Sequence, residues 1–145
     1  MTGNALSETG VDYLARLRDE MERPPYHHTV LHPQPVSVDA VAGSVVIRLP
    51  YRAEFARAPG EPGYHGGVIA ALIDIAGHAA VAIRKGRMAP TIDLRIDYLR
   101  AAPGCDLTAR AKVLRAGKSI VRADIEILDA DDNLIAVGRG AYSTM

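Results

Sequence analysis

Apolar positions along this chain recur with two different periods, and the change of period marks out its elements. Over residues 7–22, Val11, Leu14, Leu17 and Met21 return at helical spacing among Arg16, Arg18, Asp19 and Glu20, which predicts an amphipathic helix. Pro24 and Pro25 stop it, and the stretch to Pro35, which holds four prolines, reads as an irregular connector. Residues 36–41 and 44–50 predict a hairpin around the turn Ala42-Gly43. After a loop broken by Pro59, Gly60, Pro62 and Gly63, residues 67–83 are apolar on almost every face, which predicts a buried helix about 25 Å long. Arg84, Lys85 and Gly86 end it, with the cations suiting the negative end of the helix dipole. Period two then takes over. Ile92, Leu94, Ile96 and Tyr98 oppose Thr91, Asp93, Arg95 and Asp97; residues 107–113 and 121–127 alternate likewise; and a last strand runs over 134–142. An antiparallel sheet of five to six strands curled around one long apolar helix buries both, so the fold class is α+β.

Composition narrows this only a little. A chain of 145 residues supports one core, so residues 1–35 are read as an N-terminal helix with a Pro/His-rich connector and residues 36–145 as a single domain. No run approaches the roughly 18 uninterrupted apolar residues of a membrane span. Seventeen basic residues balance seventeen acidic ones, so no net field draws nucleic acid or anionic lipid and neither is an expected partner. The start of the chain lacks a basic flank leading into an apolar core, so no signal peptide is expected and a cytoplasmic location follows. Cys105 is the only cysteine and is assigned no role. His27, His28 and His32 cluster in the connector, but no Cys, Asp or Glu stands near them in ligand-like spacing, so no metal or cofactor is expected.

The segment 65–78 carries the candidate chemistry. Gly66 and Gly67 stand directly before the apolar helix, where unpaired N–H groups and the positive dipole end can hold an anion or oxyanion. Asp74 is the sole acidic residue between Glu61 and Asp93, and a buried carboxylate without partners costs several kcal/mol, so something stabilises or uses it. His78, four residues on, shares its helix face and is placed to exchange a hydrogen bond or charge with it. The plainer reading is that Asp74 pairs with an Arg at a subunit interface and that His65 merely caps the turn.

The segment YHGGVIAALIDIAGHAA resembles the signature of hotdog-fold thioesterases of the phenylacetic acid degradation (PaaI-like) type, in which HGG is followed by an acid nine positions after the histidine, as Asp74 follows His65 here. APTIDLRIDYLRAAPG is similar to that family's next strand and RAGKS to its basic turn; the likeness covers roughly residues 40–143. It implies hydrolysis of acyl-CoA thioesters, with the Gly67 N–H polarising the carbonyl and Asp74 acting as nucleophile or general base. It further implies a site formed across a homodimer, with dimers paired into a tetramer. Thr91 matches a position where the family carries a hydroxyl that holds the water or the carboxylate; the alternative is a solvent-facing strand threonine. His78 stands where relatives have Ser or Thr. Pro59 stands six residues before His65, where relatives carry Asn or Gln, and offers no side-chain hydrogen bond. For the CoA half the resemblance points to Arg84, Lys85, Arg100, Arg115 and Lys118, with Arg100 and Lys118 preferred. Tyr51, Phe55 and Tyr64 are candidate walls of the acyl pocket. A hotdog hydratase using His65 with Asp74 or His78, or a binding module without turnover, are the competing readings.

Overall fold

The computed structural model describes residues 10–22 and 26–145. Helix α1 (Tyr13–Glu22) begins where the Asp12 carboxylate accepts a hydrogen bond from the Ala15 N–H at 3.0 Å. That side-chain cap, preceded by Gly10 at a φ of 71°, starts the helix later than the expected residue 7; residues 7–9 lie outside the described residues. Leu17 and Met21 are its buried face.

The expected irregular connector instead contains a short helix, α2 (Tyr26–Leu31). The six residues between Pro25 and the His32-Pro33 pair contain no proline or glycine, so nothing interrupts a turn and a half of helix. His28 is buried there with its Nδ1 2.9 Å from the Glu20 carbonyl oxygen, which ties α2 to the end of α1.

Strands β1 (Gln34–Asp39) and β2 (Ser44–Leu49) form the predicted hairpin, with Gly43 at a φ of 66° in the turn. Helix α3 (Gly66–Lys85) follows, then β3 (Thr91–Tyr98), β4 (Leu107–Ala116), β5 (Ile120–Leu128) and β6 (Leu134–Ser143). The six strands form one antiparallel sheet in the order β1-β2-β4-β5-β6-β3, so β3 sits at an edge, paired only with β6. α3 contacts β2, β3, β4, β5 and β6, which one helix achieves only if the sheet curls around it. Its length and composition alone would let it cross a bilayer, yet it is the core helix: Leu72, Ile73, Ala76 and Ala79 are fully enclosed. Each large aliphatic side chain so buried contributes roughly 1.5–3 kcal/mol.

Alternating inward residues explain how close the helix lies. Val45, Ile47 and Leu49 of β2, Leu107, Ala109 and Ala111 of β4 and Ala123, Ile125 and Ile127 of β5 are buried against it. On β6 the inward residues shrink to glycine: a Cβ on Gly138 would run into Ile73 of α3, and one on Gly140 would strike the ring of Tyr142. The helix thus rests nearly on the β6 backbone, which fixes its height over β3 and with it the position of Asp74.

Candidate active site

Two side-chain hydrogen bonds hold the HGG turn. His65 is the N-cap of α3, and its Nδ1 accepts a hydrogen bond from the Gly67 N–H at 2.9 Å. Because that nitrogen accepts, the ring proton of the neutral imidazole lies on Nε2. Gly66 offers its carbonyl to the Tyr98 hydroxyl, which donates at 2.8 Å from the far end of β3. A Cβ on Gly67 would lie 3.0 Å from His65 Nδ1, so glycine there leaves room for the capping ring. Beneath the turn, the His65 N–H donates to the Phe55 carbonyl at 2.7 Å. Tyr64 is buried between Phe55 and Tyr51, with ring centroids 6.0 and 5.3 Å away, and donates its hydroxyl to the Cys105 carbonyl. Burial pushes the Tyr64 phenol well above its ordinary value, and nearby Asp106 adds to the effect. Tyr64 and Phe55, expected as pocket walls, are therefore taken up inside the core, where they brace the turn.

Asp74 lies two turns further along α3, half-buried, and its Oδ1 accepts a hydrogen bond from Thr91 Oγ1 at 2.7 Å. Strict alternation would put Thr91 on the outward face with Asp93. The register shifts between them: Thr91 pairs with Tyr142, whose side chain is buried against α3, while Asp93 pairs with the next residue, Ala141. This β-bulge re-aims the threonine toward the helix. The Tyr142 hydroxyl is buried against Gly77 with no hydrogen-bond partner among the described residues, and burial, then the charge of Asp74, push its phenol pKa upward.

His78 does not bond to Asp74. Its Nδ1 lies 3.0 Å from the Ala89 carbonyl oxygen and its Nε2 2.7 Å from Oε1 of Glu20 on α1. Burial by itself would lower the imidazole pKa; the Glu20 carboxylate, the Ala89 carbonyl and the more distant Asp74 charge together outweigh it and hold the value above the ordinary 6.5.

Gly67 and Asp74 are seven residues apart on one helix face, a rise of about 10 Å. A reacting carbonyl must lie about 3 Å from both its activator and its oxyanion donor. One chain cannot bring its own Gly67 and Asp74 to the same carbonyl. β3 carries the same separation, since Thr91 at its start holds Asp74 while Tyr98 at its end holds Gly66.

The cationic candidates separate in the same way. Across the sheet Thr91 pairs with Tyr142, Tyr142 with Val121 and Val121 with Ala116, which places the β4–β5 turn on the Asp74 side. Arg115, Lys118 and Arg122 line a cleft of about 210 Å³ at that turn, and Arg115 stands directly opposite Arg122. Arg84 and Lys85 border a separate cavity of about 130 Å³ with Ala116 and Val121, whose side chains leave the opposite face of the sheet from Arg115 and Arg122. Arg100 is at the other end of β3, beside the Asp129 turn. Pro59 is exposed in the loop before the helix.

The sequence pattern of the thioesterase superfamily matches residues 64–136, half of the chain, from the HGG turn into β6. The chain belongs to the thioesterase superfamily. A candidate esterase of Halobacterium salinarum is 40% identical over 117 residues, covering 72% of this chain and 76% of that one. The medium/long-chain acyl-CoA thioesterase YigI of Salmonella typhimurium is 36% identical over 94 residues, 54% of this chain and 60% of that one. Among solved structures, the PaaI protein of the Escherichia coli phenylacetic acid degradation operon superposes with a TM-score of 0.78 at 26% identity, over 92% of this chain and 96% of that one. The α+β hotdog architecture is that of this superfamily, and the activity is thioester hydrolysis in general terms.

Within this thioesterase-superfamily chain, four residues at the site escaped the sequence reading. Tyr98 carried a signal, since it ends the inward-facing alternation of β3. Arg122 was hidden as one outward charge of a regular strand. Glu20 and Tyr142 had no local mark at all, because their importance depends on pairings 58 residues apart in the first case and on helix height in the second.

Proposed function

We propose that this protein hydrolyses acyl-CoA thioesters to the free acid and CoA. Asp74 acts as the nucleophile or as the general base that activates water, and the Gly67 N–H donates a hydrogen bond to the oxyanion. The observation that carries the reading is Asp74 itself, a lone carboxylate on the core helix, oriented by Thr91 and open to one side. As the tetrahedral oxyanion forms, it takes the Gly67 N–H from His65 Nδ1, so the imidazole holds the donor until substrate arrives. One such donor lowers the barrier by about 3 kcal/mol.

The site is completed by a second copy of the chain. β3 is an edge strand, and Met88, Ile92, Tyr98 and Leu99 around it are all more than half exposed. A two-fold antiparallel pairing along β3 sets the Thr91 end of one strand beside the Tyr98 end of the other. Asp74 of one subunit then meets the Gly66-Gly67 turn of its partner, which removes the 10 Å separation of about two helical turns within one chain. Two such dimers assemble into the tetramer. Lys118, Arg115 and Arg122 receive the CoA phosphates, since like charges facing each other across strands favour an anion between them, and Arg84 adds its charge from the end of α3. Arg100 serves the turn end of the site.

The test is thiol release, followed with a colorimetric reagent, from aromatic, short and medium acyl-CoAs by wild type and Asp74→Asn. Release by wild type and its loss in a folded variant supports the reading; no release from any thioester, or equal release by the variant, overturns it.

A further inference from the structure

We infer that Glu20 of α1 and His78 of α3 form a positioning pair for Asp74, clamping the 89–91 segment that presents Thr91 to the carboxylate. The inference rests on the thioesterase reading of Asp74 but adds a working role for the N-terminal helix. Both ring nitrogens of His78 lie on acceptors: the Ala89 carbonyl can only accept, and Glu20 presents a carboxylate oxygen. A neutral imidazole has one N–H and satisfies one of these. The geometry therefore suits an imidazolium that donates to both, and the side chains of His78 and Glu20 are only 12% and 17% exposed, so little water screens the pair.

The clamp has a short route to the site. Ala89 is two residues before Thr91, and Thr91 is the residue whose hydroxyl orients Asp74. His78 is also one turn from Asp74 on the same face, about 6 Å away, and the Asp74 charge acts on the imidazole from there. A second tether fixes α1 here, since Arg16 donates to the Ile83 carbonyl at 2.8 Å. The groups facing His78 are Glu20 from α1, Asp74 from its own helix, the Ala89 carbonyl and Thr91 from the entry to β3, and the Tyr142 hydroxyl from β6 below Gly77; Asp12, Arg16, Asp19 and Arg87 line the adjoining cleft between α1 and the end of α3.

Two measurements decide it. In the first, ring ¹⁵N and carboxyl ¹³C signals of the intact protein are titrated: His78 is doubly protonated at neutral pH, and the Asp74 carbon moves with the same midpoint as the His78 nitrogens. In Glu20→Gln that shared midpoint falls by about one pH unit. A neutral His78 ring in wild type, or an Asp74 carbon indifferent to it, overturns the inference without any substrate. In the second, kcat and KM for thiol release are followed against pH. His78→Gln lowers kcat about tenfold with KM within about twofold, and the alkaline fall of kcat shifts to lower pH in Glu20→Gln and back toward wild type in Glu20→Asp. An unmoved alkaline limb, or a change confined to KM, overturns it. If wild type releases no thiol, the hydrolase reading fails and the titration alone decides the pair.

Discussion

Thr91 Oγ1 donates a 2.7 Å hydrogen bond to Asp74 Oδ1, joining the first residue of the edge strand to the lone acid of the core helix. A β-bulge makes the bond, since a regular strand would turn Thr91 the other way. The hydroxyl directs one carboxylate oxygen and leaves the other, which has no partner among the described residues, to a water or a carbonyl carbon. Thr91→Val is therefore expected to lower kcat about tenfold, and Thr91→Ser to restore most of it. Thr91 is exposed, so the melting temperature stays within about 2 °C of wild type; calorimetry alongside thiol release checks both.

Gly67→Ala separates the cap from the catalysis. The new Cβ would press on the His65 ring, 3.0 Å from Nδ1, and push it off the Gly67 N–H. Loss of the cap costs about 1 kcal/mol of stability. If the same N–H is the oxyanion donor, the displaced turn also lowers kcat by about 10², whereas a purely structural turn would show the stability loss alone.

Tyr142 offers a test in the opposite direction. Its hydroxyl is buried without a partner among the described residues, so Tyr142→Phe removes a desolvated polar group and is expected to stabilise the fold by about 1 kcal/mol. Gly77→Ala drives a methyl into that hydroxyl and costs about 2 kcal/mol. In the Tyr142→Phe background the cost shrinks without vanishing, because the ring carbon and Ile125 remain close; chemical denaturation of the four proteins measures the coupling.

His78 makes stability depend on pH with a definite sign. Its folded pKa is raised above the unfolded value of about 6.5, so the folded state binds its proton more tightly. The contribution is fully present below about pH 6.5 and is lost as pH rises through the raised folded value. The difference in melting temperature between wild type and His78→Gln should be larger at pH 6 than at pH 9, as thermal scans across that window will show.

Lys118→Glu reverses one charge of the β4–β5 turn, leaving Arg115 and Arg122 across from each other. For a CoA phosphate site there, KM rises about tenfold with kcat unchanged, and added salt narrows the gap between variant and wild type.

Much of this protein was legible from its periodicity. The unbroken apolar run over residues 67–83, the alternation over residues 91–98, 107–113 and 121–127, and the Arg84-Lys85-Gly86 stop that ends α3 are local properties, decided within a few positions of the chain. The spacing of His65, Gly66, Gly67 and Asp74 is equally local, because a helix fixes its own rise and rotation. What needed the tertiary structure was every contact that crosses the fold. The bulge that turns Thr91 inward comes from its pairing with Tyr142; the partner of His78 is on a helix 58 residues earlier; Tyr98 reaches Gly66 from another element; and Tyr64 is enclosed because Tyr51 and Phe55 close on it. Backbone period determines which way a side chain leaves its own element, and only the packing of elements against one another determines what it meets there.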